Sequence, residues 1–295
     1  MAEIDGYTIS LVRYLLAVAG LLPILAWREG RSALSFDGRG AIATVAGVVG
    51  MGASAILCFV GLQFTRPETA VIIIALQPAM TAVGEWLLRG RRPAGFTIVC
   101  LIVAFAGVVV VVTRGGSALS ELAGSSAREL VGDLLVFLGA LAWVSYALMA
   151  ERFAGWSSLR TAALTCTTAL GGILGVWILA LAAGAAWIPS AAAIATHGWR
   201  LGYLGLLGVL AAMFLWNEGI RRIGPLNAML ILSLMPVITF AFRALEGARF
   251  APAEISGAGL VVGALVANNL YLRARPSGAP AGPTPPRAGT SRKSE

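Results

Sequence analysis

Arg13 is the side chain whose surroundings most strongly predict chemistry in this sequence. It lies about six residues into a long apolar run, which is about 9 Å at the helical rise of ~1.5 Å per residue. An arginine at such depth is costly and usually faces a partner or a wet cavity. Its guanidinium fork can hold a carboxylate through two parallel hydrogen bonds. The alternative is that Arg13 extends to a polar surface or fixes a neighbouring helix.

Two prolines, Pro78 and Pro236, interrupt two other apolar runs at positions 158 residues apart. Proline inside a helix removes one hydrogen bond and frees a carbonyl one turn back. Paired interruptions in two halves of a chain indicate a central binding site, and the alternative is that they only kink helices for packing. Polar side chains beside these prolines are predicted to line the same site: Gln77, Thr81, Ser233 and Thr239.

Aromatic side chains are predicted to wall this site and to stack on a bound molecule: Trp143, Tyr146 and Trp216. The alternative is anchoring where an apolar run meets a polar layer, which fits Trp216 better than Trp143, because Trp143 lies deeper in its run. Asn217 is interpreted as a hydrogen-bond partner for another helix rather than for a ligand.

Glu85 and Glu218 are the acidic side chains considered as coupling or gating residues, with protons as the candidate coupling ion. Both lie within about four residues of the end of an apolar run. Glu85 precedes Arg89 by four residues, the spacing of a helical ion pair, and a structural role is favoured for both glutamates. Since no acidic residue lies at the centre of a run, proton coupling does not follow from the sequence.

No metal, cofactor or catalytic cluster is predicted. The cysteines, Cys58, Cys100 and Cys166, all fall inside apolar runs, and neither a CxxC motif nor a Cys/His metal spacing occurs. His197 is the single histidine and is placed in a connection, where a solvated loop residue is the expected role.

The elements that must position these residues are membrane helices. Hydrophobic residues make up 58% of the 295 residues and charged residues 12%, with a mean hydropathy of +0.84. A soluble domain carries about 25% charged residues. Alternating ten-residue segments typical of a β-barrel are absent, so the fold predicted is an all-α integral membrane protein. Nine runs are predicted to cross the bilayer: 7–27, 41–64, 67–88, 95–113, 131–150, 160–183, 201–220, 226–245 and 254–273.

Glycine spacing predicts where these helices pack closely. Small residues four positions apart allow two helix backbones to approach each other. The predicted packing faces are Gly171 with Gly175, and Gly259 with Gly263.

The chain repeats itself at an offset of 158 residues. Without a gap, Gly61, Pro67, Ala70 and Pro78 fall on Gly219, Pro225, Ala228 and Pro236. The first repeat, 1–114, holds four predicted spans, and the second, 129–273, holds five. Two five-span repeats in tandem lie in opposite orientations, which is the inverted-repeat plan of ten helices. The first helix is therefore expected to be missing, either because the start is late or because the protein has nine spans.

Basic residues predict the orientation. The segment 274–295 is rich in Pro and Gly and is predicted to be a disordered tail, and placing it in the cytoplasm puts fifteen basic residues on that side against five on the other. The cytoplasmic set is Arg28, Arg31, Arg39, Arg89, Arg91, Arg92, Arg152, Arg160, Arg221, Arg222, Arg273, Arg275, Arg287, Arg292 and Lys293, and the other set is Arg66, Arg114, Arg128, Arg200 and Arg249. The net charge of +8 is therefore attributed to this bias rather than to nucleic-acid binding.

Several short motifs lie in and beside the apolar runs: Leu215-Trp216-Asn217, Arg222-Ile223-Gly224-Pro225 and Leu234-Met235-Pro236, together with Ala142 to Tyr146, Glu151-Arg152 and Leu11 to Tyr14. Together they resemble the EamA-like family of the drug/metabolite transporter superfamily. The resemblance covers roughly residues 7–273 and implies a bacterial inner-membrane carrier with ten helices in two inverted halves. It also implies export of amino acids, related metabolites or toxic compounds. The sequence departs from the family where Gly-Glu is usual, because it has Gly90-Arg91 and Ala248-Arg249.

The sequence therefore predicts a secondary transporter rather than an enzyme. It is expected to export a small metabolite, such as an amino acid or a related amphiphile, by alternating access to a cavity at the bilayer midplane. The alternatives are a non-transporting membrane partner protein, or a truncated carrier, and, least favoured, a membrane-embedded enzyme. The expected partners are a small-molecule substrate and the lipid bilayer, and the sequence specifies no oligomeric state.

Overall fold

The computed structural model describes residues 4–65, 67–90, 92–113, 127–232, 238, 245 and 252–274. Within these ranges the regular elements are helices and none is a strand, which confirms the predicted all-α class. Continuous apolar runs form helices in lipid because a helix satisfies its own backbone N–H and C=O groups where no water is available. Apart from its first residue, the predicted tail 274–295 lies outside the described residues.

The helices follow the predicted apolar runs closely. In chain order they are α1 (Gly6–Glu29), α2 (Gly40–Gly61), α3 (Pro67–Ile74), α4 (Gln77–Arg89), α5 (Gly95–Thr113), α6 (Ala127–Ala150), α7 (Ser158–Ala182), α8 (Ala191–Gly205), α9 (Ala212–Leu232) and α10 (Pro252–Ala274). A short π-helical segment joins α8 to α9 without a break, and α9 has a kink at Gly224, whose φ is +77°. A break between α3 and α4 places Pro78 in the first turn of α4.

Six stretches among the described residues are long and apolar enough to cross a membrane. They are Gly6–Glu29, Gly40–Gly61, Thr69–Arg89, Ala127–Phe153, Ser158–Ala182 and Ala191–Leu232, and shorter apolar helices cover Gly95–Val110 and Ile255–Asn268. The chain is thus a multi-pass helical membrane protein. The predicted run 226–245 falls only partly within the described residues, so nine spans, and a missing first helix, stay predictions.

His197 lies in a helix and not in a connection, so its predicted placement is wrong. Helix α8 begins at Ala191, where the side chain of Ser190 accepts a hydrogen bond from the backbone nitrogen of Ala193 at 3.2 Å. Serine is a preferred N-cap residue, and alanine has the highest helix propensity. The alanine-rich stretch that follows Ser190 therefore extends the helix beyond the predicted run.

Two segments are wound as π-helix, a rare form that often occurs at functional sites. They are Ala46–Ala53 within α2 and Leu206–Ala211 between α8 and α9. At the offset of 158 residues, 48–53 falls on 206–211, so the distortion occupies corresponding positions in the two repeats. The packing is reciprocal, because the first segment packs on α7 and the second packs on α1.

The glycines at which two helix backbones come close together are not the ones that the sequence predicts. A Cβ atom at Gly47 would lie 2.9 Å from the backbone nitrogen of Ala169, and closer still to Thr168 Oγ1 and the Thr165 carbonyl oxygen. The backbone of α2 therefore lies directly on α7. At the glycines of the predicted packing faces, no described residue lies within 4 Å of the position that a Cβ atom would occupy. These glycines are Gly171, Gly175, Gly259 and Gly263. Glycine spacing identifies a stripe of small residues but not the face that meets a neighbouring helix.

One end of the helix bundle, which we call the arginine-rich end, carries Arg39, Arg89, Arg152, Arg160, Arg221 and Arg222. Arg39 Nη1 donates hydrogen bonds to the carbonyl oxygens of Arg152 at 3.3 Å and of Ala154 at 2.9 Å. These bonds tie the connection between α1 and α2 to the connection between α6 and α7.

A second tie at the arginine-rich end is the ion pair between Arg160, at the start of α7, and Asp37 in the connection after α1. Hydrogen bonds from the Ser35 hydroxyl and from Arg160 hold the pKa of the Asp37 carboxyl below its usual value. The carboxylate therefore stays ionised at neutral pH, and the pair is lost only when the pH falls through that lowered pKa.

At the opposite end of the bundle α2 and α6 are in close contact. A Cβ atom at Gly132 would lie 2.7 Å from the backbone nitrogen of Thr65 and 2.9 Å from the carbonyl oxygen of Gly61. Next to this contact the Thr65 hydroxyl donates a hydrogen bond to Asp133. No side chain fits between the two helices there, so α2 and α6 are in direct backbone contact at this end.

Candidate functional site

A cavity of about 310 Å³ lies at the arginine-rich end. Its wall is formed by the end of α6, the connection that follows it, the start of α7 and the middle of α9. The lining residues are Ala150, Glu151, Phe153, Ala154, Trp156, Ser158, Thr161, Asn217, Ile220, Arg221 and Gly224. Its volume lies within the range of small-molecule sites, about 300–1,000 Å³.

The deepest polar residue of this cavity is Asn217, which is 4% exposed. Its Oδ1 accepts a hydrogen bond from the Tyr146 hydroxyl at 2.9 Å, and its Nδ2 donates to the Met213 carbonyl oxygen at 2.8 Å. The Tyr146 hydroxyl also lies 3.4 Å from Thr165 Oγ1. A hydrogen-bonded floor therefore joins α6, α7 and α9, and Asn217 does contact another helix as predicted.

The predicted aromatic residues are brought together beneath this floor. The ring centroids of Trp143 and Tyr146 are 5.5 Å apart, and those of Trp143 and Trp216 are 5.3 Å apart. Tyr146 Cβ would lie 2.6 Å from a Cβ atom at Gly50, so the π-helical segment of α2 packs directly on this group. The Trp216 Nε1 atom is buried with no hydrogen-bond partner among the described residues. The group is therefore mostly apolar, but the Trp216 Nε1–H remains available as a hydrogen-bond donor.

Gln77 and Thr81 lie one turn apart on α4, and Gln77 contacts the helix α6 that carries Trp143 and Tyr146. Gln77 Nε2 lies 3.5 Å from the carbonyl oxygen of Ala140, one turn before Trp143, and its Oε1 is buried with no partner in the described part of the chain. The Thr81 hydroxyl donates to the Gln77 carbonyl oxygen at 2.8 Å. Pro78 instead points to a small gap between α4 and α5. The other predicted lining residues, Ser233, Pro236 and Thr239, lie outside the described residues.

Arg13 lies apart from the cavity, among α1, the end of α2 and the π-helical segment before α9. Its guanidinium carbon is 4.7 Å from the centroid of the Phe59 ring. Its Nη2 is 3.9 Å from the position of a Cβ atom at Gly208, and its Nε is buried without a hydrogen-bond partner among the described residues. A cation over an aromatic face is stabilised electrostatically, but the guanidinium keeps hydrogen-bonding capacity.

The two predicted coupling glutamates lie at the arginine-rich end in ion pairs. Glu85 Oε1 is 3.9 Å from Arg89 Nη1, which confirms the helical pair that the spacing predicts. Glu218 accepts hydrogen bonds of 2.6 Å each from Arg221, Arg222 and the Ser158 hydroxyl. Because these carboxylates are held by arginines, their geometry fits a structural role, and a role in coupling stays a prediction.

Sequence reasoning missed the cavity wall at Glu151, Ser158 and Thr161. One signal for it exists in the sequence, because Thr161, Thr165 and Thr168 recur at helical spacing inside an apolar run. Such a polar stripe indicates a helix face turned to other polar groups rather than to lipid. The position of Glu151 depends on how the connection after α6 folds, which local spacing does not reveal. No group of His, Cys, Asp and Glu within the described residues has the arrangement of a metal site.

Comparison with known proteins places the chain among transporters. The EamA-like transporter family matches residues 1–113 and 130–270. Two proteins of Bacillus subtilis (strain 168) are similar: the uncharacterized transporter YrdR, 28% identical over 92% of this chain and 84% of that protein, and the uncharacterized transporter YyaM, 26% identical over 88% and 83%. A protein of known crystal structure shares the fold, with a TM-score of 0.74 and 20% identity over 92% of this chain and 90% of that one. With the family match extending over most of its length, the chain belongs to the EamA-like transporter family.

Proposed function

We propose that this protein is a secondary transporter that exports a small metabolite, such as an amino acid or a related amphiphile, across the bacterial inner membrane by alternating access. The observation that carries the proposal is the cavity at the arginine-rich end, whose buried lining residue Asn217 accepts a hydrogen bond from Tyr146. A cavity that is accessible from one end and closed towards the other is the arrangement that an alternating-access carrier needs.

The π-helical segments support a rocking motion of the two halves, 1–114 and 129–273. Each segment belongs to one half and packs on a helix of the other half, since Ala46–Ala53 contacts α7 and Leu206–Ala211 contacts α1. A π-helical turn is rare and is frequently found at functional sites, so paired π-helical turns fit a place where the helix winding changes. We infer that these paired segments absorb the change in helix direction when the cavity closes at one end and opens at the other.

The orientation proposed is the one with the arginine-rich end in the cytoplasm. Arginines in short connections favour the cytoplasmic side, and the residues of this end belong to the majority set of basic residues. In that orientation the cavity is filled from the cytoplasm, as an exporter requires, and the C-terminal segment is cytoplasmic. The proposed arrangement is nine spans of the ten-helix inverted-repeat plan.

Residues below the cavity floor form the proposed path. Trp143 and Tyr146 would contact the moving molecule once the Tyr146–Asn217 bond opens. The amide of Gln77 contacts the carbonyl oxygen of Ala140, one turn before Trp143. Arg13, whose guanidinium keeps unused donors, would hold a substrate carboxylate later on the path. The proposed path is also lined by the residues that the sequence predicts for it, which are Thr81, Ser233, Pro236 and Thr239.

Metabolite release from intact cells tests the proposal. Cells that express the chain, an empty vector, or Arg13→Gln at matched membrane levels are compared by mass spectrometry of the medium. We expect selective release of carboxylate-bearing compounds by the unchanged chain and a fall towards the vector level in Arg13→Gln, because the fork that holds the carboxylate is lost. Arg200→Gln is the matched control, since Arg200 lies on α8 over Trp199 and away from the path.

Three results are distinguished by this experiment. Release that is abolished by Arg13→Gln but not by Arg200→Gln supports both the exporter and the role of Arg13. Release that Arg13→Gln leaves unchanged supports the exporter and rejects that role. Release at the vector level from the unchanged chain contradicts export and favours a non-transporting membrane partner.

A further inference from the structure

The last turn of α4 presents an apolar surface at the arginine-rich end of the bundle. Leu87 and Leu88 are 75% and 73% exposed, and Trp86 is 46% exposed. All three belong to the stretch Thr69–Arg89, which is long and apolar enough to cross a membrane. Leucine side chains left exposed on such a stretch are stable against acyl chains and not against water. This turn therefore contacts lipid, and it sets the depth at which the residues after it lie.

Arg92 lies just beyond this turn, three residues after the end of the span. Helix α4 ends at Gly90, which has a left-handed backbone with a φ of +66°. The guanidinium carbon of Arg92 then lies 5.5 Å from the centroid of the Trp86 ring. Tryptophan is enriched where the apolar and polar layers of a membrane meet. The Arg92 guanidinium is thus held beside the lipid-facing turn at the level of the headgroups.

The charge of Arg92 is not paired with a carboxylate of any described residue. The ion pairs of the arginine-rich end join other side chains, which are Arg89 with Glu85 and Glu151, Arg160 with Asp37, and Arg221 and Arg222 with Glu218. The contact with the Trp86 ring orients the guanidinium but brings no negative charge to it. Arg92 therefore keeps its full positive charge and its hydrogen-bond donors.

The anion that a membrane supplies at this depth is the phosphate of a lipid headgroup. A guanidinium fork holds two phosphate oxygens through parallel hydrogen bonds. Phosphatidylcholine carries a cation of its own that offsets its phosphate, whereas phosphatidylglycerol does not, so the attraction to Arg92 favours the anionic lipid.

Aromatic rings extend this surface onto the two neighbouring helices. Helix α5 begins at Gly95, three residues after Arg92, and its Phe96 side chain is 41% exposed. The ring of Phe96 contacts that of Tyr271 near the end of α10, with the two centroids 4.6 Å apart. The surface thus combines one unpaired cation with rings and leucines at the depth where a headgroup meets its acyl chains.

We propose that Trp86 and Arg92 form a binding site for an anionic phospholipid, with the phosphate on Arg92 and an acyl chain along Leu87 and Leu88. The site lies outside the cavity, and it does not depend on the proposed export function. Its occupant is a lipid of the leaflet at the arginine-rich end.

Quenching of Trp86 fluorescence by brominated lipids tests the site, because bromine on an acyl chain quenches a tryptophan that it contacts. The full chain is reconstituted into phosphatidylcholine nanodiscs that contain a small fraction of brominated phosphatidylglycerol or of brominated phosphatidylcholine. The emission of Trp86 is obtained as the difference between the protein with and without Trp86→Phe. We expect the binding constant at Trp86 to favour phosphatidylglycerol by about fivefold, the factor that one arginine near an anionic headgroup contributes.

Two charge-removing variants separate this site from general surface charge. Arg92→Gln is expected to reduce the preference for phosphatidylglycerol to within about twofold of none. Arg152→Gln is the matched control, because Arg152 is also exposed at the arginine-rich end, whereas the rings near it in sequence, Phe153 and Trp156, are buried. It is expected to leave the preference unchanged. Each variant is measured with and without Trp86→Phe, and its folding is checked by size exclusion.

Several outcomes would overturn the lipid site. Equal quenching by the two lipids, a preference that Arg92→Gln leaves intact, or equal losses in Arg92→Gln and Arg152→Gln would each show that Arg92 does not select the lipid. Trp86 emission that neither brominated lipid quenches would mean that another occupant, such as a second copy of the chain, covers this face. Displacement of brominated phosphatidylglycerol by inorganic phosphate would indicate a site for free anions instead. None of these outcomes bears on metabolite release, so the export proposal is tested separately.

Discussion

Gly47→Val is expected to destabilise the folded chain by about 3 kcal/mol and to leave little monodisperse protein in detergent, because overpacking a close helix contact displaces backbone. A side chain at Gly47 meets the backbone nitrogen of Ala169 at 2.9 Å, and the Thr165 carbonyl oxygen is closer still. Backbone atoms of a packed helix cannot move aside as the end of a flexible side chain can. Size-exclusion profiles and thermal denaturation of the purified protein measure the effect.

Gly171→Val is the matched control for this prediction. It makes the same change on α7, where no described residue comes within 4 Å of a Cβ atom. Its Tm is expected to stay close to that of the unchanged chain. A folded Gly47→Val protein with an unaltered Tm would show that α2 and α7 are not in the close contact described above.

Thr161→Trp is expected to reduce metabolite release to the vector level while the protein stays folded. Thr161 and Asn217 both line the cavity, and an indole at position 161 occupies part of its volume of about 310 Å³. The substitution places bulk in an existing space, so its cost in stability is smaller than that of a tryptophan forced into a packed core. Release is measured by mass spectrometry of the medium, and folding by size exclusion of the same variant.

Gly171→Trp controls for the addition of a tryptophan to α7. The residue lies on an open face of the same helix, so both release and folding are expected to be retained. Full release by a folded Thr161→Trp protein would mean that the cavity is not on the substrate path. Loss of release by Gly171→Trp would mean that bulk anywhere on α7 is harmful.

Much of the fold follows from the sequence because lipid imposes one strong rule, that apolar runs satisfy their backbone groups as helices. The start of α7 at Ser157, whose hydroxyl accepts from the Arg160 nitrogen at 2.9 Å, follows from ordinary capping. The extension of α8 past His197 does not follow from hydropathy, because it depends on a local cap and on alanine propensity rather than on apolar length.

The site was less accessible to sequence reasoning. Trp143 and Tyr146 lie three residues apart on one helix, so their association is a local property that spacing reveals. Glu151 reaches the cavity through a contact with Arg89 of another helix, and the sequence offers no local sign of that contact. Close approach at Gly47 likewise depends on which face of α2 meets α7, and a period of four residues does not specify this.

The most direct test of alternating access is a reversible lock at the end of the bundle where α2 and α6 are in contact. Thr65 and Asp133 are hydrogen-bonded across that contact, so Thr65→Cys with Asp133→Cys places two thiols within reach of a short, reducible thiol cross-linker. The variants that carry only Thr65→Cys or only Asp133→Cys, treated in the same way, control for modification of the native Cys58, Cys100 and Cys166.

Cross-linking the pair is expected to reduce metabolite release to the vector level, and a reductant is expected to restore it, because the cross-link keeps α2 and α6 from separating at this end. The variants with only one of the two substitutions should keep their release throughout. Undiminished release from a fully cross-linked protein would contradict transport by alternate opening of the two ends.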